Sequence, residues 1–470
     1  MPGYGLWATG HLVLASAGFQ GRQVSQQVAP YVSVSAPVVA LTHARVVDGT
    51  GAAARENQTV VVTGAQITAT GPTASTAVPA GAQVIDLTGH TVIPGLVQLH
   101  EHTYFGGVKQ MTEMSTSGPL LYLAMGITTA MTAGSQFPYP ELNMKRMVDA
   151  GQLPGPRFLI TGPYLNGGPP RSGNARILQT PEEARRVIAY WVSEGATWFK
   201  FQGTVSREIL GAAILEAHKL GARVTGHLCS VTFTEAASLG IDLLQHGFIT
   251  NSDYVPNKKP DICPPENMRV QADVDVASPR VQQSIRQIVA DKAAVSSTLA
   301  VYETFIAERA KLDPRAMEFL DPDVRKEVEE NHANIAKGGL TVPPRLLKKM
   351  MQWERDFVMA GGLLGSGCDP WGTGFLPGWG NLRNYELLIE AGFSPEQSIQ
   401  IMTSNGAKIL GEDGDRGTIA PGKAADLVII RGNPIGTPSD IYEVVTVFKD
   451  GLGYDSAKLR EAAKGKVGAS

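Results

Sequence analysis

The sequence predicts an α/β protein, a (β/α)8 TIM barrel with a small β-sandwich domain built from both chain ends. Three observations predict it. Short apolar runs alternate with helical patterns through the middle of the chain. β-Branched runs crowd both ends. Residues of metal-ligand type stand at the C-terminal tips of several middle runs. A barrel of this kind takes roughly 250 residues or more, and a chain of 470 leaves room for an accessory domain.

The N-terminal element, residues 1–38, is rich in Ala, Val, Ser and Gln. Its apolar patch, Leu12 to Phe19, has no basic stretch before it, so the segment reads either as an arm or as an export segment. Localisation therefore stays open between cytoplasm and periplasm or outside. From Val38 onward "VVALTHARVVDGTG", "QTVVVTGAQITATG" and "AQVIDLTGHTVI" read as hairpin-connected strands punctuated by Gly, Asp and Asn. "RGTIAPGKAADLVIIRGNP" and "YEVVTVFKDG" repeat the idiom near the far end. Residues 39–93 and 406–450 thus form one composite sandwich domain, and 451–470 a short helix or tail.

Residues 94–405 are the barrel. Its expected strands are Gly95–His102, Ile127–Thr132, Arg157–Gly162, Thr197–Phe201, Arg223–Cys229, Leu243–His246, Ala294–Ala300 and Leu363–Cys368. Segments such as "TPEEARRVIAYWVSEGA" lie between them, with acids at the start and Gly at the stop, as helices prefer. Residues 303–359 form a charged helical insertion before the last strand.

Composition narrows the function classes. The net charge is -3, which gives no electrostatic reason for a nucleic acid or an anionic membrane as partner. No apolar run reaches transmembrane length. The three cysteines, Cys229, Cys263 and Cys368, cannot all pair within the chain, so a disulfide framework is not expected to organise the fold.

Chemistry concentrates at the strand ends. In a strand, residues i and i+2 share a face. His100 and His102 therefore point together and Glu101 points away, into a structural or supporting role. Burying two adjacent imidazoles is costly unless something organises them, and a divalent cation would. Lys200 ends the apolar run "GATWFK", His227 ends "ARVTGH", His246 ends "IDLLQH" and Asp369 ends "LLGSGCD". The C-terminal rim is where barrel enzymes keep their sites. Together these residues point to a metal-dependent enzyme.

This set, His100-x-His102 with Lys200, His227, His246 and Asp369, resembles the amidohydrolase superfamily. The phrases "VIPGLVQLHEH" and "GTIAPGKAADLVIIRGNP" fit its usual entry to and exit from the barrel. "VSSTLAVYE", "GSGCDP" and "GWGNLRNYELLIEAGFSPEQSIQIMTSNGAKILG" look most like its imidazolonepropionase-like branch, which includes Xaa-Pro dipeptidases. The resemblance covers roughly residues 39 to 450. It implies two divalent metal ions, usually zinc. His100, His102 and Asp369 would hold the more buried ion, and His227 and His246 the more exposed one. Lys200, carboxylated by carbon dioxide, would bridge them. The implied reaction is hydrolysis of an amide or peptide-like C–N bond by a metal-bridging hydroxide, with Asp369 as general base and then acid.

Loop residues at the expected mouth are candidate substrate contacts: Tyr104, Tyr164, Arg171, Tyr254, Tyr302 and Trp371. Their aromatic character suits a small amide or short peptide with an aromatic or apolar group. Arg171 could hold a carboxylate. A homo-oligomer is expected. The remaining histidines, His11, His43, His90, His218 and His332, read as structural or exposed. Cys229 and Cys368 read as packing beneath the metals. Alternatives stay open: the same centre acting on a lactone, ester or phosphotriester; a mononuclear deaminase, which would usually need an acid after a barrel histidine where "HLCSVTF" has none; and a non-catalytic scaffold.

Overall fold

The structure is a computed structural model and describes residues 24–168, 173–309, 311–339 and 342–469. Most of the N-terminal arm and Arg171 lie outside the described residues.

Strands from both ends of the chain pair into one nine-stranded sheet. The strand Leu427–Arg431 runs antiparallel to His90–Pro94, with Val428 opposite Ile93, so the C-terminal segment completes a sheet begun near the start of the described chain. The sheet encloses its own apolar cluster, including Val39, Leu41, Val60, Val62, Ile67, Val92, Leu427, Ile429 and Phe448. The runs 39–93 and 406–450 therefore do meet. The sheet also takes in Val32–Val34 and Leu452–Asp455, and helix Ser456–Ala463 follows, so the C-terminal segment is more than a tail. Ser456 Oγ donates to the Ala124 carbonyl at 2.6 Å and docks that helix.

The middle of the chain supplies parallel strands β1 (Leu96–Glu101), β2 (Ile127–Thr132), β3 (Arg157–Leu159), β4 (Trp198–Phe201), β5 (Arg223–Gly226), β6 (Leu243–Gln245), β7 (Ala294–Ser297) and β8 (Leu364–Ser366). β2 has the expected bounds and the other seven are shorter than the sequence suggested. β1 to β3 form a three-stranded sheet. β4 to β8, with the two-residue strands Leu165–Asn166 and Arg176–Ile177, form a parallel sheet of seven. The edges of the two sheets approach each other twice. Gly162 N donates to the Trp198 carbonyl at 2.9 Å, and Asp369 N donates to the His100 carbonyl at 2.8 Å.

Helices behave as their ends dictate. In Pro181–Glu194 the Thr180 side chain accepts from Glu183 N, and Gly195 closes the last turn at φ 107, a conformation glycine takes without steric cost. The segment 303–359 is helical as expected, with helices Pro314–Met317, Pro322–Ala336 and Pro344–Met359. Among the described residues no helix is long and apolar enough to cross a membrane.

The sheet of the chain ends is bolted to the parallel strands by charge. Arg157, at the start of β3, donates to Asp426 at 3.2 Å and to Asp450 at 2.5 Å. Burial raises the Asp426 carboxyl while Arg157 opposes that rise, as expected where a buried acid is paired.

Candidate metal centre

Sequence spacing and strand pleat bring five strand tips to one place. His100 and His102 follow the apolar run of β1, Lys200 lies inside β4, His227 follows β5, His246 follows β6, and Asp369 lies just beyond β8. His102 Nε2 is 3.0 Å from Asp369 Oδ1, His100 Nε2 is 3.7 Å from the same oxygen, and His246 Nδ1 is 3.9 Å from Asp369 Oδ2. His100, His102 and Asp369 each offer a ligand atom, and these atoms lie within 4.8 Å of one another, so this group could hold a metal ion. The His227 ring stands 4.6 Å from that of His246, and the His100 ring 4.4 Å from His246.

Depth differs across the cluster. His100, His102, His246 and Lys200 are buried, whereas His227 is exposed at the rim. Burial lowers the pKa of His100, His102 and His246, and Lys200 further depresses all three. Neutral imidazole is the form that binds a metal. Burial likewise lowers Lys200 to about 7, with Asp369 opposing the shift. A neutral amine at neutral pH is what carboxylation requires.

Supporting side chains fix the rings. His100 Nδ1 is 2.6 Å from Gln245 Oε1, and Gln245 Nε2 donates in turn to Thr225 Oγ1 at 2.9 Å and to the Leu99 carbonyl at 3.3 Å. The amide oxygen only accepts, so Nδ1 carries the proton and Nε2 keeps its lone pair for the cluster. His246 Nδ1 is 2.8 Å from Thr298 Oγ1. Two of the clustered residues hold left-handed backbone, His246 at φ 68 and Asp369 at φ 56. Non-glycine residues rarely adopt that region, and such outliers gather at functional sites. A Cβ on Gly367 would stand 2.3 Å from His100 Cβ, so only glycine lets β8 approach β1 this closely.

Glu101 turns away from the cluster, as strand alternation requires. Its Oε1 accepts from Asn381 Nδ2 at 2.7 Å and Cys368 N at 3.0 Å, and burial pushes its pKa up to about 8.

The cluster floors a cavity of about 580 Å³, lined among others by Tyr104, Asn166, Gln202, Phe305 and Trp371, a size suited to a small molecule. Of the six expected substrate contacts, Tyr104, Tyr164, Tyr302 and Trp371 line it. Tyr104 stacks on His102 with ring centroids 4.6 Å apart, and its hydroxyl is 2.7 Å from that of Tyr164. Trp371 lies against Gly106 and Gly107, where a Cβ would meet its ring at 2.7 and 2.5 Å.

Tyr254 is a correction. It is buried away from the cavity, its hydroxyl shared with Ser284 Oγ at 2.7 Å and with Trp353 Nε1, which donates at 3.0 Å. A tyrosine with both ends satisfied inside the core has nothing left for a ligand. Arg171 lies outside the described residues.

Cysteine usage is a second correction. Cys229 and Cys263 form a disulfide across 34 residues, and both line the cavity. An odd count ruled out full pairing, not a single bridge between loops the fold brings together. Cys368 is free and buried beside Asp369, as expected.

Sequence reasoning missed Gln245, Thr298 and Asn166. A signal existed for Gln245: it is an amide inside the apolar run "IDLLQH", where a buried polar group needs a specific partner.

Comparison with known proteins agrees with the fold. Residues 381–453 match the amidohydrolase family model. No curated protein sequence matches the chain. Among solved structures, one described as a candidate prolidase from Bifidobacterium longum is 24% identical, covering 92% of this chain and 100% of its own, with a TM-score of 0.65. A Xaa-Pro dipeptidase with bound methionine is 19% identical over 89% of this chain and 100% of its own, with a TM-score of 0.65. Phenylurea hydrolase B is 20% identical over 92% of this chain and 100% of its own, with a TM-score of 0.64.

Proposed function

We propose, from the premise that this chain carries the amidohydrolase fold and the family's C-terminal signature, that it is a binuclear metal-dependent hydrolase of amide or peptide-like C–N bonds. The observation that carries the reading is the buried group His100, His102 and Asp369 with the buried Lys200 beside it. We read the two parallel sheets as one closed eight-stranded barrel (residues 94–405) and the nine-stranded sheet as the sandwich domain.

The residues fit a metal pair. Gln245 leaves His100 Nε2 free, Thr298 leaves His246 Nε2 free, and burial lowers the pKa of both rings and brings that of the Lys200 amine down to about 7. His100, His102 and Asp369 would hold one ion and His227 and His246 the other, with carboxylated Lys200 between them. Bound there, divalent ions, of which zinc suits a nitrogen-rich set, would supply Lewis acidity and make a nucleophilic water available near neutral pH.

The chain's own residues supply the rest. Asp369 opens partly to the cavity, its side chain 19% exposed. It accepts the proton of the attacking water and returns it to the leaving nitrogen. One of the paired Tyr104 and Tyr164 hydroxyls donates to the other, and the one that accepts keeps its proton for a polar group of the substrate. Tyr302 and Trp371 offer apolar wall for an aromatic or aliphatic group. The neighbours described as prolidase, Xaa-Pro dipeptidase and phenylurea hydrolase support a small amide or dipeptide substrate.

The test joins metal content to turnover. Purified protein is analysed for metal and assayed on N-acyl amino acids, Xaa-Pro dipeptides and aryl ureas, beside lactones and phosphotriesters. About two metal ions per chain and amide cleavage that Lys200→Ala abolishes are expected. Full activity without metal, or lactone turnover with no amide cleaved, overturns the proposal.

A further inference from the structure

A second cavity lies apart from the histidine cluster. It is an open cleft of about 540 Å³ between helix Pro181–Glu194 and the start of helix Pro138–Asp149. It shares no lining residue with the histidine cavity, and its volume suits a small molecule. Helix Pro181–Glu194 supplies one wall. Glu183, Arg186, Val187, Tyr190 and Trp191 recur there at intervals of three and four residues, so they share one face of the helix.

Three aromatic rings meet in this cleft. The Tyr139 ring stands 5.1 Å from that of Trp191, and the Tyr190 ring meets Trp191 edge-on at 5.3 Å. The Tyr139 and Tyr190 hydroxyls are hydrogen-bonded to each other. Both tyrosines nevertheless stay open to solvent, at 44% and 49% exposed. Rings held against one another and left half open form an apolar corner into which a further ring can pack.

Charge lies beside the rings. Arg186 and Arg176, the latter in the short strand Arg176–Ile177, both line the cleft and are exposed. Among the described residues neither side chain has an ion pair or a hydrogen bond. The adjacent Arg185, by contrast, pairs with Glu182 at 3.0 Å. Glu183 is the one acid on the described lining, and its Oε2 already accepts from Gln179 N at 2.8 Å. Two guanidinium groups against one carboxylate leave the cleft with positive charge in excess.

We propose that this cleft binds a small aromatic monocarboxylate, its ring packed against Tyr139, Tyr190 and Trp191 and its carboxylate held by Arg176 and Arg186. A guanidinium presents a fork of N–H donors that matches a carboxylate. A single negative charge balances the excess. A phosphate monoester carries about 1.5–2 negative charges at pH 7, and its surplus meets Glu183. The cleft backs onto the candidate active site without entering it. Pro163 lines the cleft, Tyr164 next to it in the chain lines the histidine cavity, and Arg176 N donates to the Tyr164 carbonyl at 2.7 Å. This site stands or falls independently of the hydrolase reading.

The test is titration calorimetry on the purified full chain with its metals retained. Phenylacetate is the probe, acetate the same charge without a ring, and 2-phenylethanol the same ring without charge. Saturable phenylacetate binding is expected, at least roughly tenfold tighter than either control. Arg176→Gln and Arg186→Gln should each weaken it about tenfold, the loss of a charge-assisted hydrogen bond, and Tyr190→Ala should weaken it through the lost ring. All three positions are exposed, so the variants should melt close to the wild type. Phenyl phosphate should bind no more tightly than phenylacetate. Absence of saturable phenylacetate binding overturns the proposal. Affinity unchanged in any of the three variants, as when the acid sits among the histidines instead, overturns it too, and so does tighter binding of phenyl phosphate.

Discussion

Gln245 Oε1 sits 2.6 Å from His100 Nδ1, and Gln245 is the residue just before His246 in the chain. The amide thereby ties the orientation of one clustered histidine to the strand that delivers another. Gln245→Leu keeps the volume but removes the acceptor. Loss of such a supporting partner typically lowers metal affinity by about 10–100-fold. Competition with a coloured chelator should show that loss, with the fold unchanged by circular dichroism. Wild-type affinity in the variant would mean that the hydrogen bond orients nothing.

Tyr164 and Tyr254 make a matched pair, one facing the cavity and one facing the core. Tyr164→Phe should reduce kcat/KM by about tenfold, the loss of roughly 1.4 kcal/mol from one hydrogen bond to a substrate. Tyr254→Phe should leave kcat/KM alone and cost about 1 kcal/mol of stability. Steady-state kinetics and urea unfolding on both variants separate the roles, and equal kinetic defects would contradict the assignment.

Glu354 offers a pH test at a residue outside the histidine cluster, packed near Gly247. It is fully buried, only Ser297 acts to hold its pKa down, and burial pushes that pKa up to about 8. The native state therefore binds a proton at pH 4.5–8 that the unfolded chain has released. Stability falls as pH rises across this window, by on the order of 1.4 kcal/mol per unit. Glu354→Gln cannot titrate, so it should gain relative to the wild type as pH climbs from 5 to 8. Parallel stability–pH curves for the two proteins would refute the buried-acid assignment.

The Cys229–Cys263 bridge closes a 34-residue span and forms part of the cavity wall. Replacing both cysteines with serine should cost about 2–4 kcal/mol and raise KM more than it lowers kcat, since the wall loosens while the cluster stays. Mass spectrometry after alkylation checks the bridge, and calorimetry with kinetics checks its effect. Two free thiols in the native protein would end this line of reasoning.

Much of the molecule could be read from one dimension. Apolar runs placed eight of the ten parallel strands described, all but the two-residue strands Leu165–Asn166 and Arg176–Ile177, because a strand buried on both faces must be apolar along its length. The two-residue alternation put His100 and His102 on one face and Glu101 on the other. Strand tips carrying His, Lys and Asp marked the cluster, because such residues at the end of a buried strand need a reason to be there. Pairing across distance was not readable in this way. Cys229 with Cys263, Gln245 with His100, and Tyr254 with Trp353 depend on how strands and loops far apart in the chain are brought together. A local pattern records which way a side chain leaves its own element. Only the assembled fold decides what that side chain meets, since partners far apart in the chain become neighbours through packing that no short window encodes.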